Sequence, residues 1–105
     1  MKPHLFHILL ALADRDLHGS GISKAVKTQS GGTVVLWPVT LYGSLSELGE
    51  EGLIEALRVP PEGESERRRY YRLTRAGRRA LHAEARRLAA LAATAARRLA
   101  PRGAP

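Results

Sequence analysis

The chain has 105 residues, which suits one small domain with a modest hydrophobic core. Its 17 Lys and Arg residues exceed its 10 Asp and Glu residues, and the net charge of +7 favours an anionic partner such as nucleic acid, although solubility alone also explains such a surplus. The lack of cysteine excludes disulfides and zinc fingers, and the longest apolar run, residues 8–13, is too short to span a bilayer, so we expect a cytoplasmic protein.

The first third of the sequence predicts two helices. Residues 4–13 are apolar on almost every side, which predicts a buried helix that ends at the following Asp- and Gly-containing segment. The apolar residues of "GISKAV" recur at i, i+3 and i+4, so a short second helix follows and a pair of glycines ends it. The β-branched run "TVVLW", residues 33–37, predicts a brief strand.

A third helix begins at Pro38, which fits a first turn because its missing N–H has no helical partner there, and it ends before Gly52. Leu41, Leu45 and Leu48 share one face of this helix. Small, polar and aromatic residues lie near its N-terminus, and its acidic residues lie in the C-terminal half. A helix that enters a DNA groove needs this division, although an ordinary amphipathic helix of mixed charge shows it too.

The second half of the sequence predicts a hairpin and a long helix. Residues 53–59 and 67–73 have strand-like composition and are separated by a loop rich in proline, glycine and charge. Thr74 is a natural N-cap for a last helix that runs to about residue 100, and residues 101–105 predict a disordered tail. Helices followed by a hairpin and a final helix predict a mainly α fold with a small β-hairpin, in the order of a winged helix-turn-helix.

Three segments strongly resemble the PadR family of transcriptional regulators: "ILLALADRDLHGSGISKAV", "TLYGSLSELGEEGLIEAL" and "RRRYYRLTRAGRRAL". They cover about residues 5–90 in family order and spacing. The resemblance implies a short family member, with a winged helix-turn-helix DNA-binding domain at residues 1–73 and a C-terminal dimerisation helix at residues 74–100. Two positions depart from the family, which usually has an aromatic at Ser20 and often Gly at Val39.

Nine residues form the predicted DNA-binding site. Tyr42 is the strongest candidate, because its hydroxyl can donate to a phosphate while its ring packs on the helix; a partly buried aromatic is the alternative. The wing is the hairpin predicted at residues 53–73. Its arginines can contact phosphates or a minor groove, or they can be solvated charges that keep an edge strand from aggregating. The third helix is the predicted recognition helix, which enters the DNA groove. The predicted residues are Thr40, Tyr42, Gly43 and Ser44 on the recognition helix, Lys24 and Lys27 on the second helix, and Arg67, Arg68 and Arg69 on the wing.

An apolar seam runs along the last helix. Leucine and alanine residues recur there at alternating steps of four and three, which is heptad-like spacing. The seam could pack on its own domain, but a chain this small cannot cover so long a helix, so a homodimer and an inverted-repeat operator are predicted. The seam residues are Leu81, Ala85, Leu88, Ala92, Ala95 and Leu99.

No catalytic motif is present in the sequence, so we predict neither an enzyme nor a cofactor. His4 and His7 have i, i+3 spacing, but without cysteine or a carboxylate cluster no metal site is predicted. Trp37 either packs in the core or borders a cavity at the dimer interface, where some family members bind aromatic effectors. We therefore predict a homodimeric repressor, relieved by a small aromatic effector. The alternative is a winged-helix module for protein–protein interaction whose basic surface is incidental.

Overall fold

A computed structural model describes residues 1–57 and 68–103 of the chain. The predicted class is confirmed: four helices accompany a small antiparallel sheet, and the longest helix comes last. In chain order the elements are α1 (Pro3–Ala11), β1 (Leu17–His18), α2 (Gly19–Gln29), α3 (Pro38–Glu50), β2 (Ile54–Ala56), β3 (Tyr70–Leu73) and α4 (Arg75–Leu99).

The sheet is three-stranded, with β3 between β1 and β2. Both pairings are antiparallel, and β2 and β3 form the base of the predicted hairpin. Glu55 lies opposite Arg72 in this register, and their side chains form an ion pair with an N–O distance of 2.6 Å. Strand β1 was not predicted. The parts of the predicted strands that fall on residues 58–67 lie outside the described residues.

The predicted strand at residues 33–37 does not form, and this expectation was wrong. The stretch lies outside the sheet and has no regular structure. It instead buries Leu36 in the core and leads directly into α3, with Trp37 at the N-cap position. Trp37 is 71% exposed, so it does not pack in the core.

The hydrophobic core lies between α1, α2 and α3, and Ile54 of β2 closes it. Each helix contributes residues spaced three or four apart, as the sequence pattern requires. Helix α3 ends where Gly52 adopts φ +73, which lets the Leu53 N–H donate to the Leu48 carbonyl at 3.0 Å. The side chains that are essentially inaccessible are Ile8, Leu9, Ile22, Val26 and Leu48.

The start of α4 is joined tightly to the end of α3. The Thr74 hydroxyl accepts a hydrogen bond from the Gly77 N–H at 3.0 Å and donates one to the Gly52 carbonyl at 2.6 Å. This confirms Thr74 as the N-cap. A Cβ atom on Gly77 would collide with the Leu53 carbonyl group, so only glycine fits there.

Glu84 holds the middle of α4 against the N-terminal segment. Its buried carboxylate accepts two hydrogen bonds from Arg87, at 2.8 and 2.7 Å, and lies 3.6 Å from the Met1 ammonium group. The hydrogen bonds from Arg87 lower the pKa of the Glu84 carboxyl from 4.5 to about 2, and the burial that opposes this change is the smaller effect.

Beyond Glu84, α4 extends away from the rest of the molecule and is almost entirely exposed. The whole molecule, with α4 included, measures 63 × 27 × 25 Å along its principal axes. Of the predicted seam, Leu81 packs against the core of its own domain. The rest of the seam is exposed, including Leu88 at 38% and Leu99 at 83%, and Leu91 is exposed beside it. Among the described residues, no helix is both long enough and apolar enough to cross a membrane.

Candidate nucleic-acid interface

The N-terminal half of α3 presents an exposed surface without acidic residues. Thr40 and Gly43 are exposed, and Tyr42 is 57% exposed although its neighbour Leu41 is buried. The first turn contains no acidic residue, and Glu47 and Glu50 lie toward the other end of the helix. The exposed N-terminal half therefore offers hydroxyl groups that can donate to DNA phosphates, and it has no carboxylates that the phosphates would repel.

Ser44 is not part of this surface, contrary to the prediction. It is 6% exposed, and its hydroxyl donates to the Thr40 carbonyl at 2.6 Å. Ser44 follows Leu41 by three residues and precedes Leu48 by four, so it falls on the stripe that faces the core. Its polar group is satisfied inside the helix, and it is not available to a ligand.

Tyr42 lies against the first turn of α2. Its Oη atom is 2.9 Å from the position that a Cβ on Gly19 would occupy, and its ring carbon Cζ is 3.3 Å from that position. Because Gly19 has no side chain, the ring can rest at this distance from the backbone. The contact joins α3 to the start of α2 through the Tyr42 side chain.

A cleft of about 420 Å³ joins this tyrosine to the wing. Arg68 and Arg69 line it from the wing, and Ser20 lines it from α2. The described lining contains no carboxylate, and both arginines are exposed. The described residues that line it are His18, Gly19, Ser20, Tyr42, Arg68, Arg69 and Tyr71. Its guanidinium and hydroxyl groups make the cleft suitable for an anion with several oxygen atoms.

Not all predicted basic residues meet at this cleft. Lys24 is exposed but lines a separate groove between α1 and α2, together with Asp14 and Arg15. Lys27 is exposed in the last turn of α2, at the opposite end from Gly19. These two lysines therefore face different surroundings from the wing arginines. Arg67 lies outside the described residues.

His18 lines this cleft, and the sequence analysis did not assign it to the site. Its Nδ1 atom accepts a hydrogen bond from the Gly21 N–H at 3.0 Å and so caps α2, and its Nε2 atom lies 2.9 Å from Arg68 Nη1. Histidine is an unusual N-cap, so only its position directly before "GSG" could have indicated this role. Across residues 1–57 and 68–103, no group of three or more His, Cys, Asp or Glu side chains is arranged to hold a metal ion.

Comparison with known proteins gives consistent results. A protein of Streptomyces fradiae, described as an uncharacterized 37.1 kDa protein in transposon TN4556, is 40% identical over 84 residues. That match covers 80% of this chain but only 22% of the relative's length.

Among the solved structures with a similar fold are two PadR proteins. A PadR family transcription regulator from Clostridium difficile has a TM-score of 0.76 and 21% identity, and the match covers 93% of this chain and 99% of that one. PadR of Bacillus subtilis, solved in complex with operator DNA, has a TM-score of 0.64 and 27% identity, with 78% of this chain and 46% of that one covered.

The family model itself covers most of the chain. The model of the transcriptional regulator PadR-like family matches residues 8–83, from α1 to the first half of α4. The match includes the three segments that resemble the family and every described residue that lines the cleft at Tyr42. Members of this family are transcriptional regulators and not enzymes, which confirms that expectation. The chain belongs to the transcriptional regulator PadR-like family.

Proposed function

We propose that the chain is a homodimeric, cytoplasmic repressor that binds an inverted-repeat DNA operator through α3 and the wing. The observation that carries this proposal is the cleft where Tyr42 of α3 meets Arg68 and Arg69 of the wing, and whose described lining contains no carboxylate. Bacillus subtilis PadR, at 27% identity, was solved in complex with operator DNA, which supports DNA binding by this chain. In this proposal residues 1–73 form the DNA-binding domain and residues 74–100 the dimerisation helix, and residues 104–105 of the predicted tail lie outside the described residues.

The second subunit is proposed to cover the exposed half of α4. An exposed leucine stripe on a helix that no other described element covers is an unfavourable surface in water, and a second copy of the same stripe would bury it. Two recognition helices related by a two-fold axis would meet half-sites about one helical turn, roughly 34 Å, or a multiple of it, apart. An inverted repeat follows from that symmetry.

The salt dependence of DNA binding tests the proposal. The probe is a duplex taken from upstream of the protein's own gene, with a random duplex of equal length as competitor. Changing Arg68 and Arg69 to Ala should weaken the binding of both duplexes and flatten the slope of log K against log salt, by up to about one unit per lost phosphate contact. Arg86 and Arg98 lie on α4, away from the cleft, so the same changes there remove equal charge and serve as the control.

The alternative function, protein–protein interaction by a winged-helix module, predicts a different result. The wild-type protein would then bind the upstream and random duplexes equally weakly, and the loss at Arg68 and Arg69 would equal the loss at the control arginines. The first result would overturn binding to a specific operator, and the second would overturn the role of the cleft in DNA binding.

Tyr42→Phe tests the recognition helix directly. The variant loses the hydroxyl and keeps the ring that rests on Gly19. If the hydroxyl donates to a phosphate, binding should weaken by roughly 0.5–1.5 kcal/mol per subunit, while the melting temperature barely changes. Earlier melting with normal DNA binding would assign Tyr42 a structural role instead.

Gly43 and Gly49 provide a matched pair on one helix. A Cβ on either residue would have no neighbour within 4 Å, so Ala should stabilise α3 by up to about 1 kcal/mol in both cases. Gly43 lies in the exposed N-terminal half and Gly49 near the other end. If DNA approaches the helix backbone at Gly43, then Gly43→Ala should weaken DNA binding while Gly49→Ala leaves it unchanged. Equal binding by both variants would show that no close approach occurs.

A small aromatic effector is also proposed, at Trp37. The exposed indole could stack with an aromatic ligand in a cavity that the second subunit completes. Because Trp37 is the only tryptophan of the chain, quenching of its fluorescence by aromatic acids would report binding at that place alone. Release of DNA at the same ligand concentration would link the site to regulation, and unchanged fluorescence would exclude it.

A further inference from the structure

The tautomer of His18 is determined by its backbone contact. Gly21 donates its N–H to His18 Nδ1 at 3.0 Å. A backbone N–H can only donate, so Nδ1 presents its lone pair, and a neutral imidazole then carries its proton on Nε2. The ring is also held by the pairing of β1 with β3, where it packs edge-on against Tyr70 with the ring centroids 5.3 Å apart.

Arg68 then faces a second donor. Its Nη1 atom lies 2.9 Å from His18 Nε2, but a guanidinium group has no acceptor. The Nε2–H and the Nη1–H groups cannot satisfy each other, although they lie at hydrogen-bonding distance. Two donors this close together are suited to one shared oxygen atom that lies to the side of both nitrogens, and a negatively charged oxygen would bind most strongly.

The surroundings select the kind of anion. Both groups line the cleft at Tyr42, where the other polar groups are hydroxyls and a second guanidinium group, and the described lining has no carboxylate to accept from them. The cleft is open and adjoins the exposed N-terminal half of α3. A phosphate of the DNA that α3 contacts would reach this position without entering the protein.

We propose that His18 and Arg68 bind the same backbone phosphate of DNA, with His18 Nε2–H and Arg68 Nη1–H as its two donors. This inference rests on the proposed DNA-binding function and adds His18 to the residues proposed to contact DNA. The two residues come from β1 and the wing, so a shared phosphate fixes the wing relative to the start of α2. The contact is sequence-independent, because every phosphate offers the same oxygens.

His18→Asn separates the cap from the phosphate contact. Asparagine is among the best N-cap residues, so its side-chain oxygen can still accept from the Gly21 N–H and hold α2, while its shorter side chain cannot reach the phosphate. Arg68→Gln removes the other donor together with its charge. The control is His82→Asn, the same change at an exposed position on α4.

Binding to a random-sequence duplex, followed by fluorescence anisotropy over a range of salt concentrations, provides the measurement. His18→Asn should bind about tenfold more weakly per subunit at temperatures where it is fully folded, because one hydrogen bond to a charged group is lost, while the lost ring contact with Tyr70 should lower only its melting temperature. Arg68→Gln should lose at least as much and also flatten the salt slope. The double variant should bind little worse than Arg68→Gln alone, because residues that share one partner do not act additively.

The outcomes separate this inference from the proposed function. If the wild-type protein binds no duplex, the proposed function is overturned and the shared phosphate with it. If the wild-type protein binds but His18→Asn binds equally well, or if the two losses add fully, only the shared phosphate is overturned.

A measurement on the free protein tests the basis of the argument and does not depend on any variant. A long-range ¹H–¹⁵N NMR spectrum should show His18 with its proton on Nε2. A proton on Nδ1 would give Arg68 an acceptor inside the protein, and the inference would be wrong.

Discussion

The two halves of α4 carry one apolar pattern but have different surroundings. In the first half, Gly77 abuts the backbone of Leu53, Leu81 packs on the core and Glu84 is held by Arg87. In the second half nearly every residue is exposed, although the leucines and alanines continue at the same spacing. The sequence pattern thus shows which face of a helix is apolar, but only the tertiary contacts show which part of that face the chain itself buries.

The largest expected effect is a loss of stability from a substitution in the first half of α4. Gly77→Ala would drive a methyl group into the Leu53 carbonyl, and because that atom belongs to the backbone the contact cannot be relieved by a side-chain rotation. We expect a loss of roughly 3 kcal/mol in the free energy of unfolding, near the upper end for overpacking. Urea denaturation measures it. Gly49→Ala, a helical glycine with open space around it, should gain stability in the same assay.

A charge in the second half should affect assembly and spare the fold. Leu88→Glu would bury a carboxylate in the proposed dimer seam and weaken association by roughly 2 kcal/mol or more per subunit. Since Leu88 is partly exposed within one subunit, the helix itself should tolerate glutamate. Sedimentation should show the variant as a folded monomer.

Ala90→Glu is the control for that experiment, because two residues along a helix turn the side chain to nearly the opposite face. It should sediment like the wild type. A wild-type protein that is monomeric at micromolar concentration would contradict the proposed dimer, and the exposed half of α4 would then need another explanation.

The smallest expected effect concerns the boundary between the halves. The pKa of Glu84 is about 2 in the folded protein, below its ordinary 4.5, so its ion pair stabilises the fold above pH 4.5. That contribution should disappear as the pH falls from 4.5 toward 2. Glu84→Gln should flatten the pH dependence of the urea midpoint in this window, and Arg87→Gln should flatten it similarly. An acid slope identical to that of the wild type would show that Glu84 is not linked to folding.

The elements that the sequence predicted well are those that depend on local rules. Helix α3 starts at Pro38 and ends before Gly52, and Thr74 caps α4, because a proline, a glycine and a hydroxyl each act within a few residues of their own position. Strand β1 could not be found in this way. Two residues have no periodicity, and Leu17 and His18 are a strand only because β3 pairs with them.

The candidate site shows the same limit. Tyr42 was identified from the helix pattern and the family resemblance, and the wing arginines were identified from their basic run on the predicted hairpin. The structure brings Tyr42, Arg68 and Arg69 to one cleft. Ser44 was misplaced because its hydroxyl suggested a surface, although its spacing from Leu41 and Leu48 gives it a core-facing position. His18 was missed because its contacts come from Gly21 and from Arg68, fifty residues further along the chain.

The double hydrogen bond of Thr74 limits which amino acids position 74 can accept. One oxygen atom there both accepts from the Gly77 N–H and donates to the Gly52 carbonyl. Aspartate caps helices well but has no proton to donate when ionised, and asparagine divides its donor and acceptor between two atoms. Natural variation at this position should therefore be confined to threonine and serine, a narrower set than helix capping alone allows.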